Sequence, residues 1–242
     1  MVPSITELLF DLGLDDEVVG ITRFCIYPSD RTTLKTRIGG TKSIDIEKAL
    51  LLKPDLIISN KEENTKDDVE RLSTACPVWV SDVHNLETAI DLVFKLGEVT
   101  GKSIIAESLA RNINASFTEF KPTPTLSAAY LIWNQPIMVA GGETYINDML
   151  SRAGYRNVFS ESKRYPTTNL SDTKALNPDV VFLSSEPYPF KDSHVSTFTK
   201  SHEFKKVILV DGTFFSWYGS RMLHAPNYFK NIRTLVSDLA TS

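Results

Sequence analysis

The chain has 242 residues, of which 42% are hydrophobic and 23% charged, so it is long enough for one large globular domain or two small ones. Its formal net charge of −4 argues against a nucleic-acid-binding protein, which needs a basic face. No apolar run reaches the roughly 18 residues of a membrane span. The two cysteines, Cys25 and Cys76, are interpreted as buried thiols, because sequence spacing alone assigns no disulfide.

Short apolar runs alternate with amphipathic stretches along the chain. The pattern predicts one helix over residues 6–12, ended by Gly13, and another over residues 144–153, ended by Gly154. Six strands are predicted, over residues 18–22, 56–59, 78–81, 127–133, 180–184 and 207–210. Because these runs are mostly apolar throughout, we expect strands covered on both faces, as in the parallel sheets of α/β proteins.

One segment of the chain occurs twice. Residues 52–62 and 176–186 each combine a helix end, a Pro-Asp pair, an apolar strand and a glutamate eight residues after the proline. That glutamate is Glu62 in the first copy and Glu186 in the second. Two halves with the same order of elements predict two similar lobes with a cleft between them.

Residues 85–120 follow a different pattern. Asn85 is a suitable cap for an amphipathic helix that ends near Gly97. A second helix of about 18 residues, ~27 Å long, begins near Lys102. We interpret this helix as a stiff connector, which gives an N-terminal lobe over 1–84, a helical connector over 85–122 and a C-terminal lobe over 123–242.

Aromatic and polar side chains follow several of the predicted strands. In parallel α/β lobes, ligands bind beyond the carboxyl ends of the strands, where aromatic rings stack on large flat ligands. The candidate ligand-binding residues are Phe24, Tyr27, Asn60, Trp133, Glu186, Tyr188, Trp217, Tyr218 and Arg221. The alternative for each aromatic residue is a place in the core. The alternative for Arg221 is a solvated or salt-bridged side chain.

Motifs for catalysis or metal binding are missing from the sequence. The four histidines do not have the spacing of a protein-built metal site, and there is no Gly-x-Ser-x-Gly elbow. The P-loop-like residues 97–103 have three residues between the glycines where the motif needs four. We therefore expect no catalytic residue, no protein-bound metal and no intrinsic cofactor.

The chain resembles the class III periplasmic binding proteins of ABC transporters, which carry metal chelates: vitamin B12, haem and ferric siderophores. The matching segments are residues 3–13, 18–22, 38–42 and 46–58, and the resemblance is closest to B12-type receptors. It implies an α/β fold of two similar lobes with mainly parallel sheets, joined by a single long helix. It also implies a monomer that binds the chelate in the cleft without catalysis and delivers it to a transporter permease.

The resemblance further implies one acidic docking residue on each lobe, seven positions before the proline of the repeat. That position holds Glu47 in the first lobe but Ser171 in the second, where Asp172 is the neighbouring acid. We expect Glu47 and Asp172 to dock onto arginines of the permease. The alternative is that both are exposed acids in the first turn of a helix, favoured there by the helix dipole.

Members of the family begin with an export signal and a β-strand before the segment that matches residues 3–13, and this sequence starts with neither. The resemblance therefore implies a truncated start, an open sheet edge in the first lobe and an extracytoplasmic location. A tetrapyrrole chelatase using His84, a receptor for a bare metal ion and a cytosolic corrinoid or haem carrier remain as alternatives. Also open are the identity of the chelate and whether Glu62 and Glu186 contact ligand or cap loops.

Overall fold

The computed structural model describes residues 1–123, 126–202 and 204–238. Residues 124, 125, 203 and 239–242, all within the predicted C-terminal lobe, lie outside the described residues. The chain forms two compact units. Unit 1 contains residues 1–83, 87–112 and 218–221, and unit 2 contains residues 84–86 and the described parts of 113–217 and 222–242. The predicted three-part division of the chain stays a prediction.

Unit 1 is built from short helices and four strands paired two by two, with one further hairpin. Its elements are α1 (Pro3–Asp11), β1 (Gly20–Ile21), α2 (Ser29–Thr32), β2 (Thr36–Arg37), β3 (Gly39–Gly40), β4 (Ser43–Ile44), α3 (Ile46–Leu51), β5 (Ile57–Asn60), α4 (Lys66–Ser73), β6 (Val78–Ser81) and most of α5 (Leu86–Val99). Helix α6 (Ser103–Glu119) contributes residues 103–112 to this unit and 113–119 to unit 2.

The strands of unit 1 form three separate ladders. β1 pairs with β2 and β5 with β6, both in parallel, while β3 and β4 form an antiparallel pair. The core beneath them is apolar and includes Met1, Ile38, Ile57 and Leu72. Among the described residues, β1 pairs only with β2 and β5 only with β6.

Unit 2 contains one larger sheet. Its elements are β7 (Leu126–Asn134), β8 (Ile137–Val139), α7 (Tyr145–Arg152), β9 (Tyr155–Asn157), β10 (Thr167–Thr168), α8 (Leu170–Ala175), β11 (Val180–Ser184), α9 (Asp192–His202), β12 (Val207–Val210), α10 (Thr213–Ser216), a 3-10 helix (Ser220–His224) shared with unit 1, and α11 (Ala225–Asp238). The strand order is β10-β8-β7-β11-β12, with β9 also paired to β7. β7, β9, β11 and β12 run in parallel, and β8 and β10 are antiparallel additions.

The repeated segment folds in the same way in both units. Helix α3 ends at the C-cap Leu52 and α8 at the C-cap Leu176. The next residue, Lys53 or Asn177, has a left-handed φ of 50° or 46°. A proline then prevents the helix from continuing, so the chain leaves each helix at the same point and enters a buried strand.

The predicted strands 78–81, 180–184 and 207–210 agree with β6, β11 and β12. The main difference is the predicted strand 18–22, of which only Gly20–Ile21 is paired. A strand needs a neighbour to extend its ladder, and β2 supplies only two residues. Among the described residues, no helix combines the length and apolar character that crossing a membrane requires.

Candidate functional site

A carboxylate lies at the end of β11 in unit 2. The Glu186 carboxylate accepts a hydrogen bond from the Trp217 indole at 2.9 Å and another from the Ser216 hydroxyl. Trp217 is buried, at 7% exposure, so the charge of Glu186 fixes the orientation of a large aromatic side chain. The structure thus brings two predicted site residues together, 31 positions apart in sequence.

The loop around Glu186 is held by small polar groups from β7, β11 and α10. Burial raises the pKa of Tyr130 well above its ordinary value, so its hydroxyl stays protonated and donates to Ser184 Oγ at 3.1 Å. Ser184 Oγ in turn donates to the carbonyl oxygen of Glu186. A Cβ atom at Gly212 would lie 2.2 Å from Ser184 Oγ and 2.7 Å from Glu186 Cγ, so only glycine allows this close approach.

Two aromatic side chains, one exposed and one half-buried, form a platform at the ends of β7 and β11. The rings of Trp133 and Tyr188 meet edge to face, with their centroids 5.5 Å apart. Trp133 is 39% exposed and Tyr188 is half-buried. The Tyr188 hydroxyl lies 3.3 Å from Asn134 Nδ2 and 3.5 Å from His194 Nε2, which restricts the ring to one orientation. We call Trp133 and Tyr188 the aromatic platform.

In unit 1, the loop after β1 presents Phe24 and Tyr27, which are 48% and 39% exposed. The Arg221 guanidinium lies 4.6 Å from the centre of the Tyr27 ring. It is also bound in a two-point contact to Glu7, from Nε at 2.9 Å and from Nη2 at 2.5 Å. Arg221 is thus salt-bridged and also contacts the Tyr27 ring, while its predicted role in ligand binding stays a prediction.

Two of the remaining predicted residues are held inside unit 1. Tyr218 is 6% exposed, which corresponds to the alternative of a core aromatic. Asn60 is 1% exposed; its amide nitrogen donates to the carbonyl and hydroxyl oxygens of Ser81, and its amide oxygen accepts from the main chain of Glu62 and Glu63. These four bonds use every amide hydrogen and both lone pairs of the oxygen, so Asn60 organises the loop after β5.

The predicted docking acids lie in the first turns of two corresponding short helices. Glu47 is exposed in α3, behind the N-cap Asp45. Asp172 is exposed in α8, and its carboxylate accepts a 2.7 Å hydrogen bond from the N-cap side chain of Asn169. The repeat thus places one exposed acid on each unit, at closely corresponding positions of the two helices.

No group of three or more histidine, cysteine or acidic side chains suited to a metal ion occurs among the described residues. Cys25 and Cys76 are both buried free thiols, as the sequence analysis interpreted them. Cys76 donates to the carbonyl oxygen of Pro54 at 3.1 Å, and burial raises its pKa. A buried thiol in this state packs as a small apolar group.

Sequence reasoning missed the residues that orient the predicted ones. Glu7 lies 214 positions from Arg221, and no sequence pattern links them. Asn134 and His194 position Tyr188 from two different elements. Ser216, which binds the same carboxylate as Trp217, was also missed; its position directly before Trp217 is the one sequence signal that could have pointed to it.

The chain belongs to the periplasmic binding protein family, whose sequence profile matches residues 2–207. Its members are substrate-binding proteins of transport systems and not enzymes, so the predicted family and the predicted non-catalytic class are confirmed.

Several similar proteins are named for the binding of vitamin B12 or haem. A vitamin B12-binding protein of Vibrio campbellii is 23% identical over 190 residues, which cover 76% of this chain and 69% of that protein. The haem-binding protein RhuT of Roseiflexus sp. RS-1 superposes with a TM-score of 0.81 at 19% identity, covering 98% of this chain and 96% of the other. The vitamin B12-binding protein BtuF of Vibrio cholerae gives 0.76 at 18% identity, covering 100% and 96%. These structures confirm the predicted α/β fold class with its mainly parallel sheet.

Proposed function

We propose that this protein is the monomeric, extracytoplasmic binding component of an ABC transporter, and that it carries a metal chelate: cobalamin, haem or a ferric siderophore. The observation that carries the proposal is the aromatic platform at the ends of β7 and β11, supported by the exposed rings of Phe24 and Tyr27 in unit 1. Exposed aromatic rings at strand ends suit a broad, flat and partly apolar ligand. Similar proteins named for vitamin B12 and haem support the same ligand class.

Direct binding identifies the chelate. The purified protein is mixed separately with cobalamin, haemin and a ferric hydroxamate siderophore, passed through a desalting column and examined by visible spectroscopy. Retention of one coloured ligand at about one equivalent supports the proposal and names the ligand. Retention of none of the three contradicts it, and turnover of a porphyrin plus a metal ion would favour the chelatase alternative.

The aromatic platform is tested by truncation. Trp133→Ala and Tyr188→Ala are each expected to weaken binding of the retained chelate roughly tenfold, about 1.4 kcal/mol, because each removes a large apolar contact. Isothermal titration calorimetry measures the dissociation constants. Phe94→Ala is the matched control, since Phe94 is 37% exposed on helix α5 and lies at no strand end. Equal losses in all three variants would contradict a specific platform.

We also propose that Glu47 and Asp172 dock onto cationic residues of the permease. Charge-assisted pairs at a transient interface orient the partners and speed their encounter. The support is the exposed position of both acids at corresponding places in the repeat.

Glu47→Ala and Asp172→Ala are expected to lower chelate uptake roughly tenfold each while leaving chelate affinity unchanged, because the acids act on the permease and not on the ligand. Uptake is measured in cells or proteoliposomes that contain the cognate permease. Asp67→Ala provides the control, since Asp67 is also an exposed acid in the first turn of a helix. Normal uptake by both single variants would remove the docking role.

A further inference from the structure

The loop after β1 and the hairpin of β3 and β4 meet in unit 1. The Arg23 amide donates to the carbonyl oxygen of Gly39 at 2.8 Å, which joins the start of the loop to the hairpin. The side chain of Arg23 also reaches the hairpin, since a Cβ atom at Gly40 would lie 3.2 Å from its Nη2 and 3.3 Å from its Nε. The guanidinium therefore lies against the main chain of Gly40, in the room that a residue without a side chain leaves.

An aromatic ring also contacts the Arg23 guanidinium. Its Cζ atom lies 5.0 Å from the centre of the Phe24 ring, a cation–π contact that orients the guanidinium plane. Both side chains are exposed, and Phe24 is 48% exposed. The cation is thus positioned by a ring and by a glycine at the carboxyl end of β1, next to one of the rings proposed to contact the ligand.

Other arginines around this loop use their charge to hold the fold. Arg37 donates to three main-chain carbonyl oxygens between residues 22 and 32. Arg31 and Arg221 are bound to carboxylates. Within residues 1–123, 126–202 and 204–238, the Arg23 guanidinium has neither a carboxylate nor a carbonyl acceptor. Its N–H groups therefore remain available to an acceptor that the chain itself does not supply.

A second cation lies on the same hairpin. Lys42 is exposed, follows Gly40 by two residues, and donates to the main-chain carbonyl oxygen of Glu62. The hairpin is fixed beside it, because Asn64 Nδ2 donates to the carbonyl oxygen of Thr41 at 3.0 Å. In the part of the chain that the structure describes, no carboxylate lies within ion-pair distance of Lys42. Two cations without a carboxylate partner thus accompany one hairpin turn.

We propose that Arg23 and Lys42, here called the cation pair, form a subsite that binds a carboxylate group at the edge of the ligand. The inference rests on the proposed function and narrows it, because the chelate then carries free carboxylates, as haemin does. Ferric hydroxamates and cobalamin, whose side chains are amides, lack them. The planar guanidinium offers two parallel donors to a carboxylate. Since Phe24 and Gly40 already position Arg23, little side-chain freedom is lost on binding.

The cation pair is tested first without any chelate. Benzoate, a flat aromatic anion, is titrated into the isotope-labelled full chain, and neutral benzamide is titrated in parallel. NMR spectroscopy follows the Arg23 Nε–Hε signal and the Gly40 amide signal. We expect benzoate alone to shift both signals in a saturable way, and Arg23→Gln to abolish the shift at Gly40. The absence of a saturable shift, equal shifts with benzamide, or a Gly40 shift that persists in Arg23→Gln would each overturn the proposal.

The ligand class is tested with paired chelates. Haemin is compared with its dimethyl ester, and cyanocobalamin with the monocarboxylic acid formed by hydrolysis of one amide side chain. In the pair that the protein retains, we expect the acid form to bind roughly tenfold more tightly. Arg23→Gln and Lys42→Gln should abolish this preference without weakening the neutral form. Arg71→Gln, which removes the charge of an exposed arginine in the last turn of α4, is the matched control and should leave the preference intact.

The outcomes separate this proposal from the proposed function. A neutral form that binds as tightly as its acid, or a preference that persists in both Arg23→Gln and Lys42→Gln, would overturn the cation pair while chelate binding stands. Tight binding of a neutral ferric hydroxamate alone would overturn it as well. If no chelate binds but benzoate shifts both signals, the chelate function is contradicted, and the cation pair is still supported as an anion subsite.

Discussion

At the scale of single residues, the most informative side chains here orient other side chains. Glu186 holds the Trp217 indole at 2.9 Å, and Glu7 holds Arg221 beneath the Tyr27 ring. Sequence analysis identified Glu186, Trp217, Tyr27 and Arg221 as candidates. It could not identify their contacts, because a hydrogen bond between residues 214 positions apart leaves no local pattern.

Asp179 provides a pH-dependent prediction at the same scale. Its carboxylate accepts from both the main-chain amide and the hydroxyl of Ser127, each at 2.7 Å, and these hydrogen bonds lower its pKa. A carboxylate with a lowered pKa stabilises the fold above its unfolded pKa of about 3.9, and this stabilisation disappears as the pH falls through the folded value. We expect Asp179→Asn to lower the free energy of unfolding at pH 7 by about 1–2 kcal/mol.

The difference between the wild type and Asp179→Asn should shrink as the pH is lowered below about 4, because Asp179 then takes up a proton in the unfolded state before it does so in the folded state. Urea unfolding at pH 7 and at pH 3 measures it. Asp55→Asn is the control: Asp55 occupies the same place in the first copy of the repeat, is exposed, and should change stability by less than about 0.5 kcal/mol. A pH-independent loss for Asp179→Asn would show that its charge has no role.

At the scale of elements, the repeated helix-to-strand junction was predictable because its signals are local. A proline two residues after the C-cap stops the helix, and the intervening residue adopts a left-handed φ. Strands β6, β11 and β12 were equally predictable, since they are short apolar runs between clear breaks. β8 and β10 were missed, because strands of two or three residues are too short to show a pattern and are defined by their partners.

The junction leads to a prediction on Lys53 and Asn177. Lysine tolerates a left-handed φ less well than asparagine, and glycine adopts it without a steric cost. Lys53→Gly is therefore expected to raise the free energy of unfolding by about 0.5–1 kcal/mol, while Asn177→Gly should be close to neutral. Urea denaturation measures both. Lys48→Gly is the control: Lys48 lies inside helix α3, where glycine should lower the free energy of unfolding by about 1 kcal/mol. An equal loss for Lys53→Gly would show that the left-handed φ of Lys53 causes no backbone strain.

At the scale of the whole molecule, the family and the α/β class followed from the order and spacing of loose motifs, none of which is specific alone. The match over residues 2–207 and the TM-scores of 0.81 and 0.76 agree with that reading. The strand pairing of unit 1 arises only at this scale, because each ladder joins segments that are separated in the sequence.

The sequence by itself determined the alternation of helices and strands, the duplicated junction and the family, because each depends on local signals or on their order. Tertiary structure alone decided which candidate side chains are exposed, as Trp133 is, and which are enclosed by partners, as Asn60 is. It also decided which strands pair, since among the described residues β1 pairs only with β2 and β5 only with β6. The physical reason is that burial and strand pairing depend on segments distant in the chain, whose approach no local pattern specifies.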